Sequence, residues 1–329
     1  MPRGRSAGGA PPAPAAGSAT EARLRDAERS ENFPVALRVL PARTRAHLRA
    51  VYDVVRAIDD IGDGDDDPGG RVGTHPERAD PERADTNRTD TERTDTERAD
   101  RTARLHAFCA DLRRVWDGPP GPVDPVLQRL VPTVRACGLT REPFERLVAA
   151  NLADQHVTRY RTWDDLLGYC VLSAEPIGRM VLAVFGVDAP DGSLVQRRSD
   201  RICTALQVLE HCQDVAEDLG RGRVYLPAED MAAFGVTEAD LTAPHTPTTV
   251  RALIARETER ASALLDEGAP LLGQLHGWAR LAVAGYLAGG RGAADALRRS
   301  RFDVLAGSPR TRRRDVVHHL VRELARSAV

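Results

Sequence analysis

The chain contains no lysine: all 46 basic residues are arginine. A lysine Schiff base and a Walker-type phosphate loop are therefore excluded, since both require Lys. No G-x-G-x-x-G fingerprint occurs, so nothing announces a dinucleotide site. The five cysteines, Cys109, Cys137, Cys170, Cys203 and Cys212, are an odd number with no C-x-x-C pair. They read as reduced thiols of a cytoplasmic protein. An uninterrupted apolar run of the roughly 18 residues that span a bilayer is missing. The Ala/Pro/Gly-rich start lacks the apolar stretch of a signal peptide. Contact with the inner membrane face as a peripheral protein stays open. The formal net charge of −2 gives no reason to expect nucleic acid as a partner.

What is present is helical periodicity. Residues 1–27 read as a disordered tail. From Ser30, Phe33, Ala36, Leu37 and Leu40 recur at helical spacing, followed by a stripe of Leu48, Val51, Tyr52, Val55 and Ile58. Residues 64–101 read as a low-complexity insertion. Within it, residues 76–100 repeat as PERAD, PERAD, TNRTD, TERTD, TERAD, and a period of 5 fits neither helix nor strand. With alanine as its only apolar side chain, the repeat is expected to be solvated and mostly disordered. Helical patterns then cover 103–116, 124–137, 141–157, 163–185, 193–219, 249–276, 278–288 and 291–305. Pro176 should kink its helix. The segment 224–227 is the one strand candidate, and 316–329 reads as a C-terminal helical tail. The expectation is a single all-α domain over 28–315, a helical bundle interrupted by the insertion.

Two acidic segments stand out. AVYDVVRAIDDIGD places Asp59 and Asp63 one helical turn apart, with Tyr52 and Arg56 on the same face. ALQVLEHCQDVAEDLGRGRVYLP places Glu210, Asp214 and Asp218 at i, i+4 and i+8, with Gln207 one turn earlier. Like charges so spaced repel, and a cation between them relieves the repulsion. A single acidic stripe is usually a solvated face, but two such helices facing across a bundle could hold Mg²⁺ ions that a diphosphate then bridges. The chemistry this suggests is leaving-group activation. Neighbouring His211 and Cys212 are expected to point elsewhere.

At these segments the chain resembles the squalene/phytoene synthase family. Asp59 and Asp63 match the family's D-x-x-x-D motif. Gln207, Asp214, Glu217, Asp218, Gly222, Arg223, Tyr225, Leu226 and Pro227 match its second motif, with Glu210 in the place of Asn and Gln213 in the place of Arg. SENFPVA, DQHVTRYRTWDDLLGYC, SAEPIGRM and EHCQDVAED resemble the hopanoid-pathway members that make hydroxysqualene.

The resemblance implies an isoprenoid-synthase bundle with a central prenyl-diphosphate cavity and Mg²⁺ as cofactor. Asp59, Asp63, Glu210, Asp214 and Asp218 would be metal ligands and Tyr169 an active-site tyrosine. Tyr52, Arg56, Asn32, Gln207, Arg223 and Tyr225 would contact substrate. Asp154, Gln155 and Ser30 are further candidates, Ser30 equally as a helix cap. Ser173, Ala174 and Gly178 would either make room for prenyl chains or allow close helix packing. Arg310, Arg312, Arg313 and Arg314 read as a solvated tail, or as a contact for diphosphate or anionic lipid.

The implied reaction turns presqualene diphosphate and water into hydroxysqualene without a redox cofactor, coupled to a presqualene diphosphate synthase. Gln213 removes a diphosphate contact that head-to-head condensation of two farnesyl diphosphates would use. A non-catalytic assembly factor is the third reading, opposed by the retained aspartates.

Overall fold

The computed structural model describes residues 40–64 and 86–326, with side chains from residue 94 onward in the second stretch. The expected helix from Ser30 and the first part of the insertion lie outside the described residues. Among those described there is no strand; residues 224–227 contribute only a bridge between Arg159 and Val224.

Helix α1 (Ala42–Asp63) buries Leu48, Val51, Val54, Ile58 and Ile61, a stripe that turns one face to the core. It ends where Gly64 adopts φ 78°, the left-handed conformation that closes a helix at little steric cost to glycine. Helix α2 (Thr86–Arg113) corrects the sequence expectation, because it takes in the repeat from residue 86 to 100. Its C-terminal part buries Leu105, Phe108 and Leu112. Once that part is nucleated by packing, adding polar turns is cheap. The pentapeptide also places Arg98 3.1 Å from Asp95, three residues back.

Helices α3 (Pro125–Cys137) and α4 (Glu142–Ala153) complete a first core cluster with α1 and α2. The expected 163–185 helix is two, α5 (Trp163–Ser173) and α6 (Glu175–Val184). Pro176 sits in the first turn of α6, where its missing N–H costs nothing, so the chain breaks at Ala174 instead of kinking. Trp163–Val184 is the one described stretch long and apolar enough to cross a membrane. Here it is a broken wall around an internal cavity.

Helix α7 (Leu194–Gln213), the short α8 (Val215–Gly220), α9 (Ala228–Ala233) and α10 (Glu238–Leu241) lead to α11 (Thr248–Gly268) and a 3₁₀ turn, Ala269–Gln274. Helix α12 (Gly277–Arg299) runs straight through Gly289 and Gly290, where the sequence suggested a break. Packing overrides propensity: a Cβ on Gly290 would stand 2.7 Å from Leu206 Cδ2, so the glycine is what lets α12 approach α7. These helices enclose the second core cluster.

Helix α13 (Arg313–Arg326) docks antiparallel on α12 and is no separate tail. Arg299 meets Asp315, His319 meets Asp295, and Arg291 meets the buried Glu323 at 2.5 Å. All five cysteines are free thiols, and burial pushes Cys170 and Cys203 up to about 12.

One buried carboxyl ties the second half together. Glu257 is 1% exposed, and Arg260 donates to it at 3.2 Å and to Asp230 at 2.6 Å while lying over the Trp163 ring. Burial, opposed by Arg260, pushes Glu257 up to about 7. A carboxyl raised on folding stabilises most below its ordinary pKa near 4.5, and that contribution is lost as pH rises through 7. Wild type should therefore lose about 2–3 kcal/mol more stability between pH 4.5 and 8 than Glu257→Gln. Denaturant unfolding across that range measures the difference, and parallel curves would refute it.

Candidate active site

Between the two core clusters lies a cavity of about 760 Å³. One end is acidic. Asp59 and Asp63 reach it from the last turn of α1, because Ile58 and Ile61 anchor the opposite face in the core. The side-chain amide of Asn151 on α4 donates to Asp59 Oδ1 at 3.1 Å. This approach requires glycine at 62, where a Cβ would fall 2.0 Å from Asn151 Oδ1. Gln155 completes the clamp: its amide donates to the Gly62 carbonyl at 2.9 Å, and it accepts from Arg101. Buried Gln155 thus holds the end of α1 and does not face the cavity. Burial is the main cause that pushes Asp59 up to about 7; Asn151 and Arg56 oppose it. Arg56 itself is 2.8 Å from Asp60.

The second acidic segment does not form one continuous stripe. The helix breaks at Asp214 (φ −104°, ψ 19°), between α7 and α8. The amides of Asp214 and Asp218 still donate to the carbonyls four residues back, at 2.9 and 2.8 Å. The break therefore redirects the carboxylates while these two amides keep their helical partners. Glu210, Asp214, Glu217 and Asp218 all line the cavity. The Ser308 hydroxyl lies 2.6 Å from Asp214 Oδ1 and 3.2 Å from Glu217 Oε1. Burial raises Asp214, and Ser308 opposes that rise.

The two segments meet directly. Asp63 accepts from Arg221 at 2.9 Å and from Arg223 at 3.0 Å. Among the described residues no three His, Cys, Asp or Glu side chains converge as a ready metal cage. The carboxylates are instead spread along facing helices and partly committed to Arg, Ser and His partners.

Beside the acidic end lies an aromatic group. The Tyr169 hydroxyl donates to Asp154 at 2.7 Å and Tyr225 lies 3.3 Å from the other oxygen. His211 stacks on Tyr225 with centroids 3.7 Å apart, and its Nδ1 lies 3.6 Å from Asp218. Its Nε2 is 3.2 Å from the Gln207 amide nitrogen. Burial raises Asp154, with Arg223 and Tyr169 opposing, and burial also holds Tyr169 well above the ordinary tyrosine range. The rest of the wall is mostly apolar, from Ile177, Val181, Leu182, Ile202, Leu206, Leu271 and Val283. A charged end and an apolar body suit an amphiphile with a polar head.

Of the residues singled out in the sequence, Tyr52, Arg56, Asp59, Asp63, Asp154, Tyr169, Gln207, Glu210, Asp214, Asp218, Arg223 and Tyr225 line this one cavity. Ser173, Ala174 and Gly178 line it too, and Gly178 also packs tightly, since a Cβ there would stand 2.4 Å from Ser199 Oγ. Asn32 and Ser30 lie outside the described residues. His211 corrects the expectation that it points away. Gln213 is 3% exposed and donates its side-chain amide to the Pro309 carbonyl. Sequence reasoning passed over Asn151, Arg221 and Ser308. Arg221 stands beside a quoted motif, but Asn151 and Ser308 reach the aspartates across 92 and 94 residues of chain.

A family pattern described as squalene/phytoene synthase matches residues 27–317. A hydroxysqualene synthase of Sinorhizobium fredii is 29% identical over 248 residues, 75% of this chain and 72% of that protein. A phytoene synthase of Arthrospira platensis is 34% identical over 196 residues, 56% of this chain and 62% of that protein's length. The solved squalene synthase HpnC of Alicyclobacillus acidocaldarius is 34% identical with a TM-score of 0.66, covering 86% of this chain and 95% of its own. A dehydrosqualene synthase solved with a ligand shares the fold at 21% identity and a TM-score of 0.72, covering 94% of this chain and 96% of its own.

Proposed function

Since the chain belongs to the squalene/phytoene synthase family, we propose that it converts presqualene diphosphate and water into hydroxysqualene and diphosphate. The observation that carries the reading is the cavity itself: both acidic segments meet at one end of it, and mostly apolar side chains line the remainder. The hydroxysqualene synthase and HpnC relatives support the choice within the family.

The donor set fits Mg²⁺. This ion keeps waters, takes one or two carboxylates and accepts phosphate oxygens, so it does not need an all-protein cage. Asp59 is a half-buried carboxyl at the cavity wall whose ionisation lacks a sufficient counter-charge, and a cation would supply one. Asp59, Asp63, Glu210, Asp214 and Asp218 would hold the metal. Bound there, Mg²⁺ would take up negative charge as the C–O bond to diphosphate breaks.

The chain's own groups supply the rest. Arg56, Arg221 and Arg223 would exchange part of their hold on Asp60 and Asp63 for the diphosphate oxygens. Tyr169, Tyr225 and His211 would present ring faces near the acidic end, and Asp154 fixes the tyrosines by their hydroxyls. Electron-rich faces attract a carbocation as they attract other cations. The C–O electron pair leaves with diphosphate. A water oxygen forms the new C–O bond and gives up one proton, so no reductant enters. The substrate would come from a presqualene diphosphate synthase in the same cytoplasm, and peripheral membrane contact would receive the product.

The Arthrospira match favours, as second reading, condensation of two prenyl diphosphates. A metal-removal experiment tests what both readings share. EDTA should stop diphosphate release from presqualene diphosphate by at least about 10²-fold, the scale of losing one electrostatic stabiliser of a leaving group, and Mg²⁺ should restore it. Undiminished release in EDTA would refute the metal assignment.

A further inference from the structure

The segment between α12 and α13 returns over the acidic end, and its course is fixed at several points. Arg301 and Phe302 turn the chain in the left-handed region, φ 54° and 58°, which side chains other than glycine adopt only when held. Arg251 holds them: it donates to the Arg301 carbonyl and to Asp303, both at 2.7 Å. Thr246 donates to Asp303 at 2.6 Å and accepts from the Leu305 amide. Further on, Thr311 occupies the space left by Gly292 of α12, where a Cβ would stand 2.6 Å from its methyl. Between these anchors, Ser308 meets Asp214 and Glu217, and the Pro309 carbonyl accepts from buried Gln213.

The next residue, Arg310, lines the cavity. Arg56, Arg221 and Arg223, the other arginines on its wall, are each salt-bridged to Asp60 or Asp63. Arg310 has no carboxylate partner among the described residues, and it is exposed. It is thus a cation at the acidic end that no described carboxylate pairs with, on a segment anchored at both ends.

We propose that residues 303–312 are a fixed strap that presents Arg310 to the substrate's diphosphate, and that Gln213 is the positioning residue that sets its register. The proposal rests on the reading above only in that the ligand carries a diphosphate. Gln213 ends α7 next to Asp214, so the same helix end carries a carboxylate and holds the segment that bears Arg310. A guanidinium binds phosphate oxygens bidentately, so loss of its placement should appear in affinity before it appears in turnover.

The probe is inorganic diphosphate with Mg²⁺, titrated into the full-length protein by calorimetry, beside steady-state kinetics on presqualene diphosphate. Arg310→Gln should weaken diphosphate binding about tenfold and raise KM similarly, with kcat changed less, and Arg310→Lys should recover part of the loss. Gln213→Leu, which keeps bulk but removes the donor, should weaken binding to a similar degree. The double variant should be no weaker than Arg310→Gln alone, since both changes remove one contact. An effect of Gln213 exerted through Asp214 would multiply with Arg310→Gln and overturn the strap. Binding within twofold of wild type in Arg310→Gln, a surface change that leaves the core untouched, would overturn it as well. If the wild-type protein itself bound no diphosphate, the active-site reading would fall first, and the two failures would be told apart.

Discussion

Replacing Asp59 with asparagine should cut kcat/KM by about 10²–10³-fold or more while the metal-free protein becomes more stable, on the scale of losing one preorganised electrostatic group at a leaving-group site. The two effects have one cause. Asp59 is a half-buried carboxyl, and desolvation, its largest influence, pushes it from an ordinary 3.8 up to about 7. At pH 8 folding must keep that charge partly desolvated with only the Asn151 amide and the Arg56 charge in its favour. A carboxyl raised on folding costs stability as pH rises through 7 and costs little below about 4. Asparagine removes the charge yet still accepts from Asn151. The gain should be on the order of 2–4 kcal/mol at pH 8 and should vanish by pH 4. Thermal melts in EDTA at both pH values, with turnover measured at saturating Mg²⁺, check the pair. Near-wild-type turnover would remove Asp59 from the site; a lower melting temperature at pH 8 would show that the carboxylate is structural.

Much of this site was legible in the sequence because its two acidic segments are local patterns. Asp59 and Asp63 stand one turn apart, Asp214 and Asp218 likewise, and helical spacing alone puts each pair on one face. The all-helical class was legible for the same reason. What the sequence did not disclose depends on tertiary contact. Asn151 reaches Asp59 because Gly62 leaves it room, and nothing in the pattern around residue 151 marks it as a partner of residue 59. His211 turns toward the site because it stacks on Tyr225, a partner beyond the end of α7 that helical spacing does not connect to residue 211. The pair Gly289–Gly290 looked like a helix end, yet close packing against Leu206 and Leu265 keeps α12 whole. The repeat at 86–100 looked unstructured because it has no apolar face; it is helical as the extension of a helix anchored elsewhere. For residues 303–312 the sequence offers only the end of a helical pattern to 305 and then an arginine cluster from Arg310, open between a solvated tail and a contact for diphosphate or anionic lipid. The strap's role depends on partners near residues 213 and 251 that no periodicity connects.

The largest functional contrast expected of the wild-type protein is between substrates. Condensing two farnesyl diphosphates brings two diphosphates to one cavity, whereas presqualene diphosphate brings one. Position 213, where an arginine would add charge, carries a buried glutamine turned to the Pro309 carbonyl. The acidic end therefore offers Arg56, Arg221, Arg223 and Arg310, and the first three already answer Asp60 and Asp63. Turnover of presqualene diphosphate should thus exceed that of farnesyl diphosphate alone by at least about 10²-fold, the scale on which a missing charged contact is felt at a desolvated site. It should need no NADPH. The decisive measurement is product analysis after reaction of presqualene diphosphate with the purified protein and Mg²⁺ in ¹⁸O-labelled water. The expected product is hydroxysqualene with the label on its hydroxyl, formed equally with and without NADPH. Squalene formed only when NADPH is present would contradict the account, as would presqualene diphosphate accumulating from farnesyl diphosphate.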